Sequence, residues 1–273
     1  MTLAGISGIE HRAALQKRDR ILSQILALSK ERGFSTAEFE RFDAYLSVNL
    51  GLEGPAYVDE MQRPRNYWPG LTALPVHDTN HFSWAVDLEA RFDEIRAELI
   101  DCSKSLGLGA HPQDLADRGS WSVLYFFGPE KQVKEIRTLC PLVSKLIETI
   151  PGTGRAGNTY LSVLKPGTHI QQHYGPTNAR LRCHFAIKVP KSARIRVGDL
   201  CYEWKEGKCL IFDDSFEHEV WNDSDGERVV LIIDFWHPDM TEVEVWALNA
   251  ARRLSDGLRD FSPDSSAMRA ILA

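Results

Sequence analysis

From residue 158 onward the chain is cut into short apolar runs by turn signals. "TYLSVL", "RCHFAIKV", "RIRV", "LCYEW", "KCLIF" and "RVVLIIDFW" are rich in Val, Ile and aromatics. Between them lie "KPGT", "GPTN", "PKSA", "VGD", "KEGK" and "DSDGE". Runs this short, with no helix-length spacing between them, cannot build a parallel sheet with helical crossovers. They predict an antiparallel sandwich or jelly roll. The fold class expected is mainly β with flanking helices: a double-stranded β-helix (jelly-roll, cupin-like) core preceded by helices.

The N-terminal half has the helical period. Residues 9–32 carry Leu15, Leu22, Ile25 and Leu26 among charges, with Gly33 placed to cap the C-terminus. Ser35 and Glu38 form a capping-box pattern that opens a second helix through Phe39, Phe42 and Leu46. The spacing predicts one helix over 85–105 and another over 131–149 that Pro141 must interrupt. The division expected is a helical extension at 1–60, a β domain with supporting helices at 61–246, and a tail at 247–273. Within that tail, "SDGLRDFSPDSSAMRAILA" reads as mobile, with a docking helix as the alternative. The N-terminal helices either cover the barrel or mediate dimerisation, so the oligomeric state is open, with a homodimer among the outcomes.

Charge and cysteine usage narrow the setting. With 273 residues and a formal charge of −6, the chain offers no basic excess for nucleic acid or an anionic membrane. No apolar run has membrane-spanning length, and the first residues lack the apolar centre of a secretory leader. Five cysteines without a CxxC pair fit reduced thiols, so a cytoplasmic protein is expected.

The densest chemistry lies in "QQHYGPTNARLRCHF", residues 171–185. His173 begins like a non-heme iron motif, but Gly175 stands where that motif has an acid. His173 and His218 both fall at strand–turn borders, where a rigid β scaffold holds ligands. Arg228 enters the most apolar strand, where a planar donor fork suits an enclosed carboxylate. His169 is a rival to His173: four residues apart, the two share a face in a regular strand. His184 alternates with Arg182 and should point inward. Asp213 and Asp214 precede His218 as turn formers or as groups that orient metal-bound water.

"YWPGLTALPVHD", "RGSWSVLYF", "LSVLKPGTHIQQHYGPTNARLRCHFAIKVP", "WKEGKCLIFDDSFEHEVWND" and "RVVLIIDFWHP" together resemble the aspartyl/asparaginyl β-hydroxylase family. That family comprises oxygenases dependent on Fe(II), 2-oxoglutarate and O2. The resemblance implies His173 and His218 as the metal ligands, with water in the place vacated at Gly175. It implies Arg228 as the anchor of the 2-oxoglutarate carboxylate, helped by Ser162. Leu164, Arg182, His184 and Val220 would line the same pocket. The expected partner is a small-molecule, amino-acid or peptide-type substrate, held through Arg180. Acyl-chain hydroxylation of a lipid, or a cupin-like module that binds without turnover, are the alternatives.

The chain departs from the family's animal members at several points. Pro112 and Gln113 stand in place of an acidic pair, and Val123 in place of a polar contact. Only Cys140 of the family's disulfide is matched, since Val133 occupies its partner's place.

Overall fold

All six apolar runs form strands, but two further core strands carry the paired histidines. The protein is described from a computed structural model covering residues 8–128 and 133–254. The core strands are β5 (Thr159–Leu164), β6 (Thr168–His173), β7 (Arg180–Lys188), β8 (Ala193–Val197), β9 (Leu200–Glu203), β10 (Cys209–Phe212), β11 (His218–Asn222) and β12 (Arg228–Trp236). Four lead-in strands precede them: β1 (Val76–His77), β2 (Gly109–Ala110), β3 (Ala116–Arg118) and β4 (Trp121–Phe127).

Two antiparallel sheets result. One has the order β1-β10-β7-β12-β5-β4-β2 and the other β3-β6-β11-β8-β9. Most successive core strands cross from one sheet to the other, which is the winding of a double-stranded β-helix. The facing surfaces enclose a shared apolar interior, with Val123, Tyr160, Leu164, Ala186, Phe212 and Val230 from the large sheet. Ile170, Ile195, Val197 and Val220 come from the small one.

Alternation along β7 and β12 gives the large sheet its second role. Leu181, Cys183, Phe185 and Ile187 face outward with Leu231, Ile233 and Phe235. Helices α3 (Ser83–Ala90), α4 (Phe92–Leu106), α5 (Val133–Leu139) and α6 (Pro141–Glu148) cover that surface with Leu88, Ile95, Leu99, Ile136 and Ile147. The even-numbered residues of these strands are thereby left for the barrel interior.

Helices α1 (Gly8–Ser29) and α2 (Glu40–Asn49) pack with α7 (Glu242–Leu254) around Trp68 and Trp236 at one end of the barrel. Trp68 is fully buried, and Tyr45 stacks on it at 4.5 Å. These N-terminal helices therefore share a core with barrel residues Ala179 and Trp236.

Two expectations change. The helix expected over 85–105 breaks at Arg91 into α3 and α4. No Gly or Pro announces the break; each half buries its own apolar stripe against the curved sheet. The boundary drawn at residue 247 falls inside α7, which docks Val243, Ala247 and Leu248. The stretch from 255 lies outside the described residues. Gly33, with φ of 75°, and the Ser35–Glu38 capping box are formed as the sequence predicts.

Candidate active site

The imidazoles of His173 and His218 lie side by side on the inner face of the small sheet. Their ring centroids are 4.0 Å apart, and the residues are register partners across β6 and β11. His173 Nδ1 is 2.7 Å from the Gln171 carbonyl, and His218 Nδ1 is 2.9 Å from the Phe216 carbonyl. A carbonyl can only accept, so each Nδ1 carries the proton and each Nε2 keeps its lone pair. Burial lowers both pKa values, and in His218 the neighbouring His173 lowers it further. Two neutral imidazoles with tethered Nδ1 atoms and paired lone pairs suit a divalent metal. Among the described residues, no group of three or more His, Cys, Asp or Glu could hold a metal ion.

His169 points elsewhere, and the reason is a β-bulge. The register steps from His218↔His173 to Val220↔Ile170, which places one extra residue in β6. Ile170 and Val220 face the interior, whereas His169 pairs with Trp221 on the outer face. There His169 Nδ1 is 2.8 Å from Asp117, Nε2 is 2.7 Å from Glu219, and the ring stacks on Trp221. The same-face expectation for His169 and His173 therefore fails, because a bulge reverses the alternation. His169→Ala is expected to leave metal affinity within about threefold of wild type, since an outer-face ion pair has a small effect on the interior. Fe(II) titration of the purified variant checks this, and loss of metal would restore His169 as the ligand.

Gly175 has a steric cause. Its N–H donates to the Asp214 carbonyl at 2.6 Å, and a Cβ there would overlap the Asp214 carboxyl group. Any side chain at 175 would require Asp214 to move. The nearby acid is Asp214 instead, fully buried, with Oδ1 lacking any hydrogen-bond partner. Asp213 turns away: Ser215 N–H and Gln62 hold its carboxyl, and burial raises its pKa to about 7.

Deeper in the barrel lies Arg228, 1% exposed. Its guanidinium sits 5.0 Å over the Trp204 ring, and Nη1 reaches Ser162 Oγ at 3.5 Å. Its Nε has no partner, and no carboxylate among the described residues pairs with it. Burial lowers its pKa to about 9, so it remains a cation at neutral pH. Ser162 also accepts from Trp121 Nε1 at 2.9 Å. His184, kept neutral by burial and by Arg228, leaves Nδ1 unpartnered beside Trp204 and Phe212. Leu164 and Val220 complete the apolar wall. A cation, a hydroxyl and a neutral imidazole in an apolar chamber fit a small carboxylate anion.

Arg180 and Arg182 are differently placed. Asp234, fully buried on β12, pairs with Arg182 Nε at 2.8 Å and with Arg180 Nη1 at 2.9 Å. Asp214 pairs with both at 3.3 Å. Two arginines and two aspartates thus form a neutralised cluster beside His173. Arg180, through which the resemblance implies the substrate is held, is thus already paired with two buried aspartates. Asp234 escaped the sequence reading, although a lone carboxylate within "RVVLIIDFW" was a usable signal.

A cleft of about 620 Å3 opens over this cluster and is lined by His111, Trp121, Tyr160, His173, Arg180 and Arg182, among others. His111 lies flat on Trp121, with centroids 3.4 Å apart and planes 3° from parallel. Pro112 and Gln113 also line the cleft, while Val123 lies within the barrel opposite Ser162. Cleft and chamber therefore meet at Trp121, which faces one and hydrogen-bonds into the other.

Comparison with known proteins gives one consistent family. The model for aspartyl/asparaginyl beta-hydroxylase matches residues 89–238. The Mus musculus protein of that name is 36% identical over 211 residues, covering 73% of this chain and 28% of its own length. Aspartate beta-hydroxylase domain-containing protein 2 of Homo sapiens is 34% identical over 201 residues, covering 69% of this chain and 54% of its own. Ornithine lipid ester-linked acyl 2-hydroxylase of Rhizobium tropici is 34% identical over 174 residues, covering 60% and 61%. The chain thus spans little more than a quarter of the length of the mouse protein.

Proposed function

The chain belongs to the aspartyl/asparaginyl β-hydroxylase family, and from that premise we propose that it is an Fe(II)- and 2-oxoglutarate-dependent dioxygenase. It hydroxylates an unactivated C–H bond of a small polar or amino-acid-type substrate, with succinate and CO2 as coproducts. The observation that carries this reading is Arg228: a buried guanidinium with no carboxylate partner among the described residues, in the same barrel as an inward pair of neutral histidines. An uncompensated buried cation costs several kcal/mol by order of magnitude, and a bound dianion offsets that cost.

Each residue has a task within this reading. His173 and His218 would hold iron through Nε2, their rings fixed by the Gln171 and Phe216 carbonyls. Asp214 offers an unpartnered buried carboxylate oxygen to a water beside the pair. Arg228 and Ser162 would hold the distal carboxylate of 2-oxoglutarate, with Leu164, Val220 and Trp204 excluding water. Arg182 keeps its two aspartates in place and borders the cleft through which substrate enters. The metal, when bound, supplies activation of O2 coupled to decarboxylation of 2-oxoglutarate.

The relative from Rhizobium tropici favours a second reading, acyl-chain hydroxylation of a lipid, because its name specifies that reaction and its alignment covers similar shares of both proteins. Among the described residues no helix is long and apolar enough to cross a membrane. The test is oxygen consumption by the full chain with Fe(II) and 2-oxoglutarate, followed by mass spectrometry of amino-acid, peptide and lipid candidates. A 2-oxoglutarate-dependent gain of one oxygen on a substrate is expected. Absence of both oxygen use and succinate would overturn the oxygenase reading in favour of a binding module.

A further inference from the structure

The cleft above the histidines is cationic in a chain that is anionic as a whole. Among the described residues six arginines line it, Arg63, Arg65, Arg155, Arg180, Arg182 and Arg252, against one carboxylate, Asp214, while the whole chain carries −6. Their positions differ in consequence. Arg180 and Arg182 are neutralised by Asp214 and Asp234. Arg252 donates to the Arg155 carbonyl and lies over Trp236. Arg63, Arg65 and Arg155 are exposed, and no carboxylate among the described residues forms an ion pair with any of them.

Those three come from two separate loops. Arg63 is aimed by hydrogen bonds from Nη1 to the Asp59 and Gln62 carbonyls and lies 4.5 Å over the Tyr57 ring. Arg155 sits in the turn after α6, where its N–H bonds to the Gly152 carbonyl. Charges of one sign brought to one cleft by different loops repel each other, and among the described residues no ion pair offsets these three. Arginine forks match a phosphate, which presents three acceptor oxygens and nearly two charges, better than a single carboxylate. A cleft of about 620 Å3 has the size of a small-molecule site.

We propose that the substrate carries a phosphate group, seated on Arg63, Arg65 and Arg155, with its reacting carbon extending toward His173. The inference rests on the hydroxylase reading for the fate of that carbon, but the phosphate seat is testable without turnover. The phosphate could belong to a soluble ester or to a lipid headgroup.

The experiment titrates the full chain with O-phospho-L-serine and with L-serine by calorimetry, at low and high salt, with 2-oxoglutarate present to fill the Arg228 pocket. The ester is expected to bind at least about tenfold tighter than serine, the gain of one or two charge-assisted hydrogen bonds, and salt should erode the difference. The triple variant Arg63→Gln/Arg65→Gln/Arg155→Gln should abolish that advantage, and Arg228→Ala should keep it. Sedimentation with vesicles of phosphatidylcholine alone, or with phosphatidic acid added, separates the sources. Arginine-dependent binding to the ester or to the acidic vesicles supports the phosphate seat. Equal binding of ester and serine without vesicle binding overturns it, as does an advantage that survives in the triple variant. Phosphate binding without 2-oxoglutarate-dependent oxygen use would remove the hydroxylase reading alone. Turnover of uncharged substrates, unchanged in the triple variant, would remove the phosphate seat alone.

Discussion

His218→Ala, and equally His173→Ala, is expected to lose metal binding and turnover together. Each variant leaves one imidazole, and a single neutral nitrogen cannot retain a labile divalent ion at micromolar concentrations. Among the described residues no third His, Cys, Asp or Glu stands in reserve. The pH dependence follows from burial. Both histidines are held below their ordinary pKa by desolvation, so their lone pairs stay available through neutrality. Metal binding should therefore persist below the usual histidine pKa of about 6.5 and fail only at lower pH. Equilibrium dialysis with Fe(II) under anaerobic conditions measures this, with thermal melting as a folding control. A folded His218→Ala protein that still binds one equivalent of iron would refute the two-histidine site.

Arg228→Ala is expected to lower the affinity for 2-oxoglutarate by about two orders of magnitude or more. Removing one partner of a buried charge pair costs on the order of 2–5 kcal/mol. Arg228→Lys should recover only part of this, since a point charge cannot reproduce the fork over Trp204 and toward Ser162. Stability supplies a second readout. The unpaired cation is unfavourable in the folded state, so Arg228→Ala should be no less stable than wild type without ligand. Wild type should gain melting temperature when 2-oxoglutarate is added, and the variant should not. Desolvation lowers the guanidinium's pKa but leaves it charged at neutral pH, so the charge is available to the cosubstrate there. Unchanged affinity in Arg228→Ala would remove the anchor from this assignment.

The strands least visible in the sequence are those that carry the site. β5, β7, β8, β9, β10 and β12 are recognisable because their apolar residues face a core on at least one side. β6, "THIQQH", and β11, "HEVWN", place histidines, glutamines and acids where apolar residues would mark a strand. A site built on a strand removes part of the pattern by which the strand is recognised. The helix break at Arg91 was hidden for another reason: apolar residues continue on both sides of it, with Leu88 before and Ile95 after in the same core.

By itself the sequence determined the antiparallel winding, the helical cover and the histidine–glycine motif, because each follows from local periodicity or residue identity. Only the tertiary structure decided which histidines converge. Strand parity puts His169 and His173 on one face, but one extra residue in β6 turns His173 inward and leaves His169 outside. Likewise, "RLR" offers two cations at Arg180 and Arg182, yet Asp214 and Asp234 neutralise both, while Arg228 meets no acid among the described residues. The charge of a residue is local, but its compensation depends on strands more than thirty residues away, which only the folded sheet brings together.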